Sequence, residues 1–243
     1  MIVKKGIDVS KYQGVIDFDA VKAAGYEFVI IRAGFGKEVS QKDPYFDVNY
    51  KRAKVAGLYV GAYWYSYSKT VGGAKNEAKA CRQILGDKTF ELPIYIDIEE
   101  KEQLSKGPAF VANLIETFCT ELESEGFFAG VYMSTSPMMQ LPEMTLCRFA
   151  LWVAQWGAAC TMDKAKVGIW QHSSKGQVPG IVGNVDLNYM YIDYPTIIKN
   201  GKFNNFSDTY NLSLMERSIQ NEQDLKILYE CREKLEALKA KYM

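Results

Sequence analysis

The sequence predicts an α/β fold, an irregular closed barrel of eight strands whose last quarter lacks its helices. Three observations carry that reading. Apolar, β-rich runs begin near residues 27, 58, 93 and 127, a period of about 30 residues that suits strand–helix–strand units. The stretches between them open on capping residues and close on glycine, the punctuation of helices. After Met133 further strand-like runs follow, but Pro, Gly and Ser fill the gaps where full helices would stand.

Lys5 to Val9 reads as the first strand and Ser10-Lys11-Tyr12-Gln13-Gly14 as a loop. Asp17 offers an N-cap for a helix through Ala24, closed by Gly25. Phe28 to Ile31 is continuously apolar, as a parallel strand covered on both faces should be. Asp43-Pro44 reads as N-cap and first residue of the next helix, ended by Gly57, and Leu58 to Tyr63 as the third strand. A helix over 70–85 ends at Gly86, before a strand from Pro93 to Ile98. Another over 108–125 ends at Gly126, before a strand from Phe127 to Met133. The remaining strands are Phe149 to Ala154, Val167 to Gln171 and Val185 to Asn188, with only a helical fragment around Ser136-Pro137.

Formal net charge is zero, from 29 basic and 29 acidic residues, which gives no electrostatic footprint for nucleic acid. Aromatic residues make up 13%, including 16 tyrosines, which suits a sugar-binding surface as well as a core. Five widely spaced cysteines with no CxxC pair read as free thiols. The start Met1-Ile2-Val3-Lys4-Lys5 leads straight into a strand, so synthesis in the cytoplasm without a signal peptide is expected. No apolar run reaches the ~18 residues of a membrane span.

The chemistry concentrates on Ile94-Tyr95-Ile96-Asp97-Ile98-Glu99. Residues i and i+2 of a strand share a face, about 6.6 Å apart along the backbone, so Asp97 and Glu99 point into one mouth. In barrels of this kind chemistry sits at the C-terminal ends of strands. Asp8 ends the first strand and Asp186 lies in the last, so closure brings four carboxyls to one rim. Two carboxyls flanking a bond are the standard equipment for glycoside hydrolysis, and repulsion between Asp97 and Glu99 is expected to keep one of them protonated. The one histidine, His172, reads as a loop or rim residue. No GxSxG elbow is present, and Gly34-Phe35-Gly36 lacks the third glycine of a dinucleotide loop.

Several segments in order, Gly6-Ile7-Asp8-Val9-Ser10, Tyr12-Gln13-Gly14, Ile30-Ile31-Arg32-Ala33-Gly34, Asp97-Ile98-Glu99, Leu151-Trp152-Val153-Ala154-Gln155, Trp170-Gln171 and Gly183-Asn184-Val185-Asp186-Leu187-Asn188, together resemble glycoside hydrolase family 25, the lysozymes of phage endolysins and bacterial autolysins. The resemblance implies an irregular TIM-like (β/α)5(β)3 barrel and cleavage of the β-1,4 bond between N-acetylmuramic acid and N-acetylglucosamine in peptidoglycan. It implies Glu99 as general acid, Asp97 as the partner orienting an attacking N-acetyl group, and Asp8 and Asp186 as supporting acids. No metal or organic cofactor is expected. Tyr63, Tyr65, Tyr132 and Trp152 fall at strand ends where faces could stack on sugars, Gln171 is placed to hydrogen-bond substrate, and Arg32 is expected to pair with a barrel acid. Tyr63-Trp64-Tyr65-Ser66 departs from the family pattern, in which His-Phe often follows the tyrosine. A chitin-type hydrolase and a noncatalytic glycan-binding barrel are the alternatives.

The catalytic barrel is expected over residues 1–206 and a helical appendage over 207–243. Leu228, Cys231, Leu235 and Leu238 make a two-heptad seam there, suited to docking on the barrel, self-association or a tether.

Overall fold

The computed structural model describes residues 3–163 and 165–207. The chain opens with β1 (Lys4–Val9) and α1 (Phe18–Ala23), then β2 (Phe28–Phe35) and α2 (Phe46–Val55). β3 (Tyr59–Tyr65), α3 (Val71–Leu85) and β4 (Ile94–Asp97) follow, then the short α4 (Lys101–Leu104), the long α5 (Pro108–Glu123) and β5 (Ala129–Ser134). Only two short helices, α6 (Thr135–Met138) and α7 (Glu143–Arg148), separate β5 from β6 (Ala150–Ala154). β7 (Val167–Gly176), β8 (Val185–Met190) and α8 (Tyr194–Asn200) complete the order. The strands close into one barrel in sequence order, so the predicted irregular barrel is the observed one, its last strands without covering helices between them.

Local punctuation explains most boundaries. The Asp17 carboxylate accepts from the Asp19 and Ala20 amides at 3.1 Å, and Thr70 Oγ1 from the Gly73 amide at 3.0 Å, satisfying helix-start donors that would otherwise lack partners. The expectation for Asp43 is corrected: α2 begins two residues after Pro44, with Tyr45 in the capping position. Asp43 accepts instead from the Arg32 guanidinium and from the Lys11 and Tyr45 amides, an anchorage that outweighs a cap.

Alternation along the strands sorts core from site. Ile7, Val9, Val29, Ile31, Val60, Ala62, Ile94, Ile96, Val131, Met133, Leu151 and Val153 point outward into one apolar cluster shared with the helices. The residues between them point into the barrel, where Phe28, Tyr95 and Trp152 are fully or almost fully buried. Each buried aromatic of this size contributes about 1.5–3 kcal/mol through burial, and glycines on neighbouring strands make the room. Gly6 lies in register with Phe28, and a Cβ on it would sit 2.3 Å from that ring; Gly130 is opposite Tyr95, with a corresponding distance of 2.6 Å. Trp64 points outward and donates its indole N–H to the Gly36 carbonyl at 2.9 Å, so the departure at Tyr63-Trp64-Tyr65 places a tryptophan in the helix layer and away from the barrel mouth.

β1 to β7 run parallel, but β8 is antiparallel to both β7 and β1. The link from Gly176 to Val185 is too short for the crossover that parallel neighbours need. The reversal carries the start of β8 to the rim where β1 to β7 end, and Asp186 reaches the acids for that reason. Among the described residues no helix is long and apolar enough to cross a membrane. The proposed appendage, apart from Ser207, lies outside the described residues, and so do its leucine seam and Cys231. Of the described cysteines, Cys81 and Cys119 are buried and all four are free thiols.

Candidate active site

Inward positions at the C-terminal rim converge on a cavity of about 230 Å³. Its walls include all nine residues singled out from the sequence: Asp8, Tyr63, Tyr65, Asp97, Glu99, Tyr132, Trp152, Gln171 and Asp186. A groove of about 640 Å³ lies against α1 and α2, but its Asp17 is spent on capping and no inward strand residue reaches it. The smaller cavity holds the concentration of acids.

Asp8 and Asp186 face each other across the β1–β8 pair, with their carboxyls in hydrogen-bonding contact. Asp8 is buried, and its Oδ2 accepts from Asn188 Nδ2 at 2.7 Å and Gln171 Nε2 at 2.9 Å. Burial first, then the neighbouring Asp186, holds the Asp8 pKa well above the usual carboxylate range against those two N–H donors. Burial also raises Asp186, opposed by its contact with Asp8.

Asp97 and Glu99 share the opposite wall. Asp97 is 4% exposed, and its Oδ1 has no partner among the described protein groups. Burial is the largest cause holding its pKa well up, followed by Glu99 and Asp8, with Arg32 opposing. Glu99 is reachable from the mouth, yet withdrawal of its carboxyl from water raises its pKa; contact with the Tyr132 hydroxyl opposes the rise, and Asp186 and Glu100 add to it. The expectation that mutual repulsion separates the two acids is therefore modified: desolvation dominates at both. Arg32 lines the cavity, but its ion pair, 2.7 Å from Nη2 to Oδ2, is with Asp43 in the loop before α2. This corrects the expected pairing with a barrel acid and leaves four carboxyls facing one already neutralised cation. Four adjacent negative charges are not sustainable in such a space, so the floor keeps protons near neutrality.

The aromatic walls divide into support and surface. Trp152 is 1% exposed, its N–H donates to Asn188 Oδ1 at 2.8 Å, and its ring packs against Tyr63, Tyr95 and Tyr132. Trp152 lines the cavity with its ring held among these partners. Gln171, 2% exposed, accepts from the Tyr132 hydroxyl at 2.9 Å and the Trp156 indole at 3.1 Å while donating to Asp8. Its oxygen is taken up twice and one N–H is committed to Asp8, which leaves its second N–H for another acceptor. Tyr65 is open to the cavity and donates to Glu100 at 2.8 Å. Tyr63 is in register with Arg32 on the neighbouring strand and lines the same cavity as the acids.

Three contributors were missed. Trp156, 53% exposed, and Tyr12, 77% exposed, both line the mouth. Tyr12 sits on a turn held by the reciprocal Ser10–Gln13 cap, its ring 5.2 Å from the Arg32 guanidinium. Neither loop carries a periodic signal. Asn188 was legible, being two residues beyond Asp186 and therefore on the same strand face. His172 is no loop residue: it lies within β7, stacked on Tyr189 at 4.3 Å.

Comparison with known proteins agrees with this geometry. The family model described as glycosyl hydrolases family 25 matches residues 7–181, and the chain belongs to that family. It is 30% identical over 185 residues to the autolytic lysozyme of Clostridium acetobutylicum, covering 76% of this chain and 55% of that protein. To lysozyme M1 of Streptomyces globisporus it is 27% identical over 203 residues, covering 76% and 66%. The chain thus spans little more than half the length of the clostridial relative. Among solved structures, the CTP1L endolysin superposes with a TM-score of 0.71 at 27% identity, covering 81% of this chain and 70% of that one. A bacterial lysozyme from Streptomyces coelicolor gives 0.69 at 24%, covering 83% and 97%, a likeness of fold.

Proposed function

We propose that the protein is a peptidoglycan hydrolase cleaving the β-1,4 bond between N-acetylmuramic acid and N-acetylglucosamine. The observation that carries the reading is the pairing, in one cavity, of a reachable carboxyl, Glu99, whose pKa burial raises, with a buried carboxyl, Asp97, whose Oδ1 has no partner among the described protein groups. In this reading Glu99 gives its proton to the glycosidic oxygen as the bond to the anomeric carbon breaks. Asp97 accepts the N–H of the neighbouring acetamido group, whose carbonyl oxygen attacks that carbon. The Glu99 carboxylate then takes a proton from the water that opens the cyclic intermediate, giving net retention. Asp8 and Asp186 support the floor, while Tyr63, Tyr65 and Tyr132 form walls around the sugar, with Tyr12 and Trp156 at its mouth.

The relatives support both an endolysin and an autolysin. We favour a phage endolysin that reaches the wall after release from the host cytoplasm; a gene standing among bacterial wall-turnover genes instead of phage lysis genes would reverse that choice. The hydrolase reading is tested by incubating purified cell walls with the protein and following turbidity, alongside titration calorimetry with muropeptides. Clearing of the suspension is expected. Heat of binding without any product would establish a glycan-binding barrel, and cleavage of chitin oligomers, which lack lactyl groups, would broaden the substrate class.

A further inference from the structure

The hydrogen-bond directions on the cavity floor are fixed by groups that can only donate. An indole N–H has no acceptor capacity. The side-chain amide atom facing Trp152 must therefore be the Asn188 oxygen, and the one facing Trp156 must be the Gln171 oxygen. Each amide then has only its nitrogen to offer Asp8, and both nitrogens meet the same oxygen, Oδ2, at 2.7 and 2.9 Å. An oxygen receiving two N–H groups cannot also carry a proton toward them, so a proton joining Asp8 to Asp186 lies between the other carboxyl oxygens.

Polarity propagates one step further. Tyr132 has a single hydroxyl proton, and the Gln171 oxygen, already fixed as an acceptor, takes it at 2.9 Å. The same hydroxyl neighbours Glu99. A phenol donating to Glu99 would favour its carboxylate and lower its pKa; with its proton engaged by the Gln171 oxygen, this hydroxyl meets Glu99 as an acceptor instead. We infer that Gln171 and Asn188, locked by the indoles of Trp156 and Trp152, are positioning residues that set these directions, so that Asp8 and Asp186 share one proton and Tyr132 meets Glu99 as an acceptor. Gln171 is the hinge between the two acid pairs, and Trp156 ties it to the open mouth.

The charged and titratable groups facing this floor are Asp8 on β1, Arg32 on β2, Tyr63 and Tyr65 on β3, Asp97 and Glu99 at the end of β4, Tyr132 on β5 and Asp186 on β8, with Glu100 beside Glu99. Gln171 is the uncharged contribution of β7. Burial raises both aspartates of the cross-strand pair, and the neighbouring Asp186 raises Asp8 further, in keeping with a retained proton.

The test is a carbon-13 NMR titration of the Asp and Glu carboxyl carbons in the full chain. In the unaltered protein one proton is expected to stay on the Asp8–Asp186 pair well above the ordinary carboxylate range. Asn188→Leu removes one donor to the Asp8 anion, so loss of that proton shifts to higher pH, with an ionisation constant about tenfold smaller, and Glu99 stays in place. Gln171→Met shifts the pair upward too, but it frees the Tyr132 proton to turn toward Glu99, which shifts downward. Opposite movements from one substitution are not expected of a merely structural residue. Trp156→Phe, at a half-exposed site that folding tolerates, reproduces both movements at smaller size and decides the matter if the buried variants do not fold. Aspartates that both ionise in the ordinary range, or acids that move together or not at all in the Gln171 and Trp156 variants, would overturn the inference. The part that bears on catalysis rests on the proposed hydrolase reading. Shifts as expected in a protein that digests no wall would sink that reading and leave the hydrogen-bond polarity standing.

Discussion

Asp97 and Glu99 come from one strand two residues apart, whereas Asp8 and Asp186 face each other across the antiparallel β1–β8 pair. In the cross-strand pair Asp8 is held firmly: both amides on its floor donate to it, and Asp186 faces it across the strands. The β4 pair is not held in this way, since Asp97 Oδ1 has no partner among the described protein groups and Glu99 is reachable from the mouth. Satisfied groups rigidify a site, and unsatisfied buried acceptors are retained where a ligand completes them. In the proposed reading, this difference gives chemistry to the wall and support to the floor.

The comparison can be broken most forcefully at Glu99. Glu99→Gln should lower kcat on purified walls by about 10²–10⁴-fold with an unchanged thermal transition; near-normal turnover would move the acid elsewhere. Asp97→Asn should cost about 10²-fold in kcat while raising stability at neutral pH, since it removes a buried ionisable group; both are read from wall-digestion rates and urea melts. Arg32→Met isolates the cation between the two walls. It should destabilise the fold by about 3 kcal/mol, because Asp43 is left buried with no cation, and denaturant unfolding measures it.

The smallest effect concerns pH. Asp8, Asp97, Glu99 and Asp186 all have folded pKa values above those of free carboxyls. The folded state therefore binds more protons than the unfolded one between the ordinary carboxylate range and the raised values. Stability falls as pH rises through that window. His172, held below its ordinary value by burial, acts the other way, as one group against these four and Glu77, which burial also raises. Urea melts should show greater stability near pH 5 than near pH 8, and Asp97→Asn should flatten the slope.

Much of this was legible from periodicity. Strands about 30 residues apart gave the barrel, and i, i+2 spacing put Asp97 with Glu99 and would have put Asn188 with Asp186. The reversal of β8 was not legible, because a short apolar run carries no direction; only the link length before Val185 hinted at it. Asp43 reads locally as a cap, and only the tertiary approach of Arg32 and of the turn at Lys11 gives it another duty. Trp152 and Gln171 were placed at the site by position. Their roles depend on partners 36 and 163 residues away in sequence, which no local pattern encodes.

The claim that the wall acids cut the glycan is tested most directly by mass analysis of peptidoglycan digested to completion. The account predicts soluble muropeptides whose new reducing ends are N-acetylmuramic acid, absent when Glu99→Gln replaces the unaltered protein. New ends on N-acetylglucosamine, cuts confined to peptide bonds, or no products from a folded protein would contradict it.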